Sequence, residues 1–268
     1  MRSFRELMSL EGRVAIVTGG AGHIGRAIAA GLAELGATVC LLDRSDDALA
    51  KACEELGVRV PGARIEGLRI DLESETERAL VAETVADRFG RLDILVNNAG
   101  FVGDSQLTGW VTDFERQSME TWRRAIEVNL TAAFHLSQSL SALLRASGHG
   151  AIVNVSSIYG NVGPDMSLYD GTAMGNPAAY AVSKGGVVQM TRWLSTVMAP
   201  EVRVNCVSPG GVARGQPAAF AERYIARTPL KRMGQEEDFI GAVCYFASDL
   251  SGWVTGQNLM VDGGWTAW

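Results

Sequence analysis

The sequence predicts a doubly wound α/β fold, one parallel sheet covered by helices on both faces. Two observations carry that prediction. Short β-branched runs alternate with longer helical patterns along the 268 residues, and the runs are apolar throughout, as strands buried on both faces must be. With 47% hydrophobic residues and 31 glycines, the composition suits a globular chain with many tight strand-to-helix turns. No linker, repeat or low-complexity run interrupts the alternation, so residues 11–268 read as a single domain, with 1–10 as a flexible, frayed N-terminal extension.

Taken in order, VAIVT (14–18) is the first strand. The first helix covers Ile24–Gly36, because Ile24, Ala27, Ile28, Gly31, Leu32 and Leu35 mark one face at three- and four-residue spacing. TVCLL (38–42), ARIEGLRI (63–70), DILVN (93–97), AIVNVS (151–156), VRVNCVS (202–208) and NLMVD (258–262) are the remaining strands. Between them, helices are expected over Asp46–Leu56, Glu75–Phe89, Trp122–Arg145, Ala179–Met198 and Glu236–Ser248. Right-handed crossovers put the ligand side at the carboxyl ends of the strands. Phe101–Glu120 and Gly160–Pro177 exceed ordinary loop length and follow strands on that side, where long loops are usually functional.

A net charge of −6 argues against a nucleic-acid partner, which needs a basic footprint, and no basic amphipathic segment suggests a membrane surface. The first residues carry Arg and Glu where a signal peptide needs an apolar core, and no apolar run is long enough to span a bilayer. The expectation is a cytoplasmic protein. Cys40, Cys53, Cys206 and Cys244 are isolated and read as reduced core thiols, with no disulfide or metal site.

TGGAGHIG (18–25) lies between the first strand and the first helix, where a glycine loop and a helix N-terminus cradle a dinucleotide pyrophosphate. Gly19, Gly22, His23, Ile24 and Gly25 are the expected contacts. Read as T-G-x-x-G-x-x-G, the spacing resembles sugar-nucleotide epimerases and dehydratases. The T-G-x-x-x-G-x-G spacing of compact ketone and alcohol oxidoreductases would want glycine where His23 stands. Asp43 ends the second strand eighteen residues after Gly25, where an acid accepts the adenosine ribose hydroxyls. Its charge favours NAD and repels the 2′-phosphate of NADP. Arg44 beside it can pair with that phosphate, which keeps NADP possible. Asp71 and Leu72, ending the third strand, edge the adenine.

NNAG (97–100), VNVSS (153–157), YAVSK (180–184), SPGGV (208–212) and VTGQNLMVDGG (254–264) follow in order, and together they resemble the short-chain dehydrogenase/reductase family over about residues 12–264. The resemblance implies a Rossmann-type sheet of about seven strands, a homotetramer or homodimer, and cofactor contacts at Asn98, Ala99, Gly100, Pro209, Gly210 and Val212. Chemistry supports the central pair independently. Reducing a carbonyl with hydride needs a proton donor, the reverse needs a base, and a phenol titrates near 10. Tyr180 and Lys184 are four apart on one helix face, where an ammonium is expected to lower the phenol's pKa. By resemblance, Ser157 hydrogen-bonds the substrate oxygen, Lys184 also holds the nicotinamide ribose, and Asn129 is the proton-relay asparagine.

Three departures from the family stand out: His23, Arg214 where Thr is common, and a Ser157–Tyr180 separation of 23 residues, longer than usual. Tyr169 sits nearer the usual distance, but Ala173 stands four residues on, so Tyr180 is the expected base. The insert (161–179) is expected to project over the active site, with Asn161, Asp165, Tyr169, Asp170 and Asn176 lining it for a hydroxylated substrate; an oligomer contact or surface flap is the competing reading. Residues Val212–Gly234 are expected to form a mobile lid, and Trp268 to reach a neighbouring subunit.

NNAG and VDGG, and a chain ending soon after the last strand, set the compact branch above the epimerases. The functional expectation is an NAD(H)-dependent oxidoreductase interconverting a secondary alcohol and a ketone, with a polar or sugar-like substrate. An NADPH-dependent 3-oxoacyl-thioester reductase is the alternative, against which Asp43 counts. A non-catalytic nucleotide-binding scaffold would lack part of the Asn129, Ser157, Tyr180 and Lys184 set.

Overall fold

The computed structural model describes residues 1–103 and 107–268. After helix α1 (Phe4–Met8), the chain alternates β1 (Val14–Thr18), α2 (His23–Glu34), β2 (Thr38–Asp43), α3 (Asp46–Arg59), β3 (Ile65–Arg69), α4 (Glu75–Phe89) and β4 (Ile94–Asn97). Helix α5 (Met119–Ile126), a π turn (Glu127–Thr131), α6 (Ala132–Ser139) and α7 (Ser141–Ala146) lead to β5 (Gly150–Val155). Then come α8 (Ala178–Val197), β6 (Val202–Pro209), α9 (Ala218–Arg227), α10 (Ile240–Ala247) and β7 (Asn258–Val261).

All seven strands pair in parallel in the order β3-β2-β1-β4-β5-β6-β7. This is the doubly wound, Rossmann-type sheet the alternation predicts. Strand order reverses beside β1, where Val17 pairs with Leu41 of β2 on one side and Val96 of β4 on the other. Crossovers leave in opposite directions there, so a crevice opens beyond the strand ends.

Successive strand residues face opposite sides of the sheet. Ala15, Val17, Val39, Leu41, Ile94, Val96, Val153 and Val155 pack on one face with α2 and α10. Val14, Ile16, Cys40, Leu42, Leu95 and Ile152 pack on the other, with α4, α6 and α8. Close approach is built into α2: a Cβ at Gly31 would stand 2.3 Å from Ile240 of α10. Serine caps start α3 and α4, where Ser45 and Ser74 accept the N–H groups of Ala48 and Glu77, each contributing ~1 kcal/mol.

Several segments carry more regular structure than the sequence suggests. Residues 1–10, expected as a frayed extension, contain α1. Ser3 and Glu6 form a capping box on α1, Arg2 pairs with Asp249 and Leu10 is fully buried. The helix expected over Trp122–Arg145 is divided by the π turn and again at Leu140, where the hydroxyls of Ser137 and Ser141 bond to carbonyls of the preceding turn. Within Val212–Gly234 lies α9, whose Phe220 and Tyr224, four apart, are buried. Residues 104–106 of the long Phe101–Glu120 stretch lie outside the described residues.

Candidate active site

At the end of β1, Thr18 Oγ1 accepts the N–H groups of Asn98 and Ala99, both at 3.0 Å, and Asn98 Nδ2 donates to Thr18 O at 2.9 Å. These bonds brace the glycine loop against the turn after β4. Gly19 turns through φ +61°, and the N–H of Gly22 donates to its carbonyl. A Cβ on Gly25 would stand 2.2 Å from Gly19 O, so only glycine lets α2 start this close to the loop. His23 opens α2 with its side chain exposed, which is how the loop accepts a non-glycine residue there.

Beyond the loop, Asp43 accepts the N–H of Ala21 at 3.2 Å and that of Arg44 at 2.8 Å, which holds its carboxylate at the cleft edge. Asp71 and Leu72 border the same end. The cleft encloses about 940 Å³, room for a dinucleotide and a small substrate together. A glycine backbone, a helix N-terminus and a carboxylate at the edge of one crevice fit a nicotinamide dinucleotide.

At the inner end, β5 and α8 bring the chemistry together. Ser157 follows β5 and its Oγ accepts the N–H of Tyr159 at 3.2 Å. One helical turn apart on α8, Tyr180 and Lys184 line the cleft with Ser157. Lys184 is 4% exposed and donates to Val155 O at 2.9 Å, and burial pushes its amine down to about 8. Tyr180 departs from expectation. Burial pushes its phenol up, and the neighbouring Ser157 hydroxyl, which favours the ionised form, does not offset this. Lys184 Nζ lies 5.9 Å from the Tyr180 ring centroid and is directed at the Val155 carbonyl, so desolvation outweighs its charge at the phenol.

Gly19, Gly22, His23, Ile24, Gly25, Asp43, Arg44, Asp71, Leu72, Asn98, Ala99, Gly100, Ser157, Tyr180, Lys184, Pro209, Gly210 and Val212 all line this one cleft. Asn129 does not. At 3% exposure within the π turn, it accepts the N–H of Phe101 and donates to Ser183 Oγ at 2.9 Å, directly behind Gly100. Arg214, the second departure, borders the cleft, with Nε 3.3 Å from Glu236 and its N–H donated to Gln216.

The insert is only partly where its composition suggested. Asn161 turns inward to Ser157 O, Ser208 and Asn258. Asp165 pairs with Arg227 of α9, and Arg223 donates to the carbonyl of Asp170 at 2.7 Å. Of the five polar residues expected to line the cleft, Tyr169 alone does. Tyr159, Phe220 and Tyr224, missed in the sequence, complete the wall. Their signals were present: Tyr159 stands two residues after Ser157, and Phe220 and Tyr224 share a helix face. Trp268, expected at a neighbouring subunit, donates to Arg227 O of its own chain.

Known proteins share this architecture along nearly the whole chain. The family described as Enoyl-(Acyl carrier protein) reductase matches residues 19–266. The 3-oxoacyl-[acyl-carrier-protein] reductase FabG of Thermotoga maritima is 35% identical over 267 residues, covering 96% of this chain and 99% of the relative. Galactitol 2-dehydrogenase (L-tagatose-forming) of Cereibacter sphaeroides is 36% identical, with 99% of both chains covered. Among solved structures, a short-chain type dehydrogenase/reductase from Mycobacterium marinum superposes with a TM-score of 0.86 at 28% identity, covering 99% of both chains.

Proposed function

The chain belongs to the short-chain dehydrogenase/reductase family of NAD(P)-dependent oxidoreductases, and we propose that it interconverts a secondary alcohol and a ketone on a polar or sugar-like substrate, with NAD(H) as the preferred cofactor. The observation that carries this reading is the convergence of Ser157, Tyr180 and Lys184 at the inner end of a cleft whose outer end is bounded by Asp43. When bound, the nicotinamide supplies or takes the hydride. Ser157 holds the reacting oxygen; the Tyr180 phenol gives that oxygen a proton in reduction, and its phenolate removes one in oxidation. Protonated Lys184 favours the phenolate, and Asn129 fixes the backbone behind Gly100. Asp43 disfavours a 2′-phosphate at the outer end.

Arg214, Gln216, Tyr159 and Tyr169 border the cleft beside the apolar Phe101, Ile158 and Phe220, and it is these polar members that support an oxygen-bearing substrate over an acyl chain. The alternative, an NADPH-dependent 3-oxoacyl-thioester reductase, draws on the Thermotoga maritima relative and is opposed by Asp43. A cytoplasmic homo-oligomer, dimer or tetramer, completes the proposal. It is supported by the exposed Phe134 and Trp193, whose rings lie 6.5 Å apart on α6 and α8. Among the described residues no helix is long and apolar enough to cross a membrane.

Tyr180→Phe tests the reading. Turnover is expected to vanish while NADH binding, followed by fluorescence, persists. Unchanged turnover would remove Tyr180 from the chemistry.

A further inference from the structure

The substrate end of the cleft carries a feature that hydride and proton transfer do not use. Tyr159 and Tyr169 both line it, and their hydroxyl oxygens lie 2.9 Å apart. We propose that this pair is a recognition site for a second hydroxyl of the substrate, so that the enzyme selects diols and polyols over alcohols with one oxygen. The proposal rests on the oxidoreductase reading above and gives its substrate a class.

The donor count comes first. Two phenols that share one hydrogen bond use one proton and leave the other free, together with unused lone pairs. Among the described residues neither hydroxyl makes a second hydrogen bond. A substrate hydroxyl, both donor and acceptor, can take the spare proton and return its own. An alkyl chain offers neither and leaves the pair desolvated without a partner. Burial holds the Tyr159 phenol above its usual range, so it stays protonated near neutrality and the count holds there.

Rigidity comes second. Tyr159 follows Ser157 by two residues, and its N–H is bonded to the Ser157 hydroxyl, so the recognition pair is referenced to the group expected to hold the reacting oxygen. Tyr169 is 9% exposed, with its ring 5.3 Å from that of Phe220 on α9. Helix α9 also grips the insert from outside, through Arg223 on the carbonyls of Ser167, Leu168 and Asp170 and through Arg227 on Asp165. Behind Tyr159, Trp265 packs edge-on at 6.3 Å. The insert is therefore a scaffold that delivers one phenol, Tyr169, to a fixed point in the cleft. Asp165 serves the clasp through its carboxylate and Asp170 through its backbone carbonyl.

A site built to hydrogen-bond a substrate hydroxyl discriminates strongly against the analogue that lacks it. The test compares initial rates of NAD reduction with hexitols and cyclohexane-1,2-diol against 2-hexanol and cyclohexanol. Wild type is expected to favour the polyhydroxylated member of a pair by roughly tenfold or more in kcat/KM. The double variant Tyr159→Phe/Tyr169→Phe keeps the ring packing and is expected to collapse that ratio towards one, whereas either single substitution frees the remaining phenol and is expected to lower it only in part. A wild-type ratio near one, or a ratio that survives both substitutions, would overturn the proposal while leaving the oxidoreductase reading intact. Absence of nicotinamide-linked turnover with every alcohol would remove that reading and the proposal with it.

Discussion

Replacing Lys184 with methionine should change how the stability of the cofactor-free protein depends on pH. The amine is buried, its one hydrogen bond among the described residues goes to Val155 O, and desolvation depresses its pKa from 10.5 to about 8. In the unfolded chain the amine keeps its proton to about 10.5. Between those values the folded state lacks a proton that the unfolded state holds, so stability rises with pH. The contribution is complete above 10.5 and is lost as pH falls through 8. The interval from about 8 to 10.5, at ~1.4 kcal/mol per pH unit, amounts to ~3 kcal/mol. Cys206, pushed up to about 11, and Cys40 and Cys244, each to about 12, pull the opposite way above pH 9, where free thiols ionise. Cys40 and Cys244 are unaffected by Lys184 and cancel in the difference, whereas the Lys184 charge lowers the Cys206 thiol, a smaller effect than burial, so Cys206 cancels only in part. Urea unfolding of wild type and Lys184→Met at pH 7.5 and pH 10 reads the effect directly. The advantage of wild type over the variant should grow by most of that amount. A difference that stays flat would refute the desolvation argument.

Gly25→Ala forces a Cβ to within 2.2 Å of Gly19 O, backbone that cannot swing aside, at a cost of ~1–3 kcal/mol. NADH affinity by fluorescence titration should fall roughly tenfold or more with the far-ultraviolet dichroism retained, and unchanged affinity would contradict the loop geometry. Asp43→Ser removes a repulsion worth about 1–4 kcal/mol at close range, so the NADP-to-NAD ratio of kcat/KM should rise roughly tenfold or more. An unmoved ratio would mean that Arg44 sets the preference. Asn129→Ala leaves the Phe101 N–H without its acceptor and the Ser183 hydroxyl without its donor, so stability should drop by ~1–3 kcal/mol as well as kcat. A variant as stable as wild type in thermal denaturation would contradict the bracing role.

The alternation of apolar runs and helical patterns was enough for the doubly wound sheet, and the end of β1 marked its crevice. The lysine four residues on is what favours Tyr180 over Tyr169 in the sequence, and the structure places that pair in one cleft with Ser157. Which way the Lys184 ammonium points was not legible, because helical spacing gives a shared face and cannot show that Val155 O captures the amine. The insert misled for a related reason. Asp165 read as a polar lining, yet its partner Arg227 lies 62 residues away on α9, and Arg223 of the same helix takes the backbone carbonyl of Asp170; local periodicity carries no record of such long-range contacts. The π turn at Glu127–Thr131 widens one helical turn by a residue, too little to disturb a 3.6-residue pattern. Burial of Leu10 against the sheet gave the N-terminus an anchor that its polar composition concealed.

The most direct test of the whole account is a set of initial rates followed by nicotinamide absorbance. NAD and NADP are compared against sugars, polyols and simple secondary alcohols, with a 3-oxoacyl thioester and NADH or NADPH run alongside. Turnover of a polyhydroxylated substrate with NAD is the predicted result. Reduction of the thioester alone, driven by NADPH, would contradict it, placing Arg44 above Asp43 as cofactor selector and the tyrosine wall outside substrate recognition.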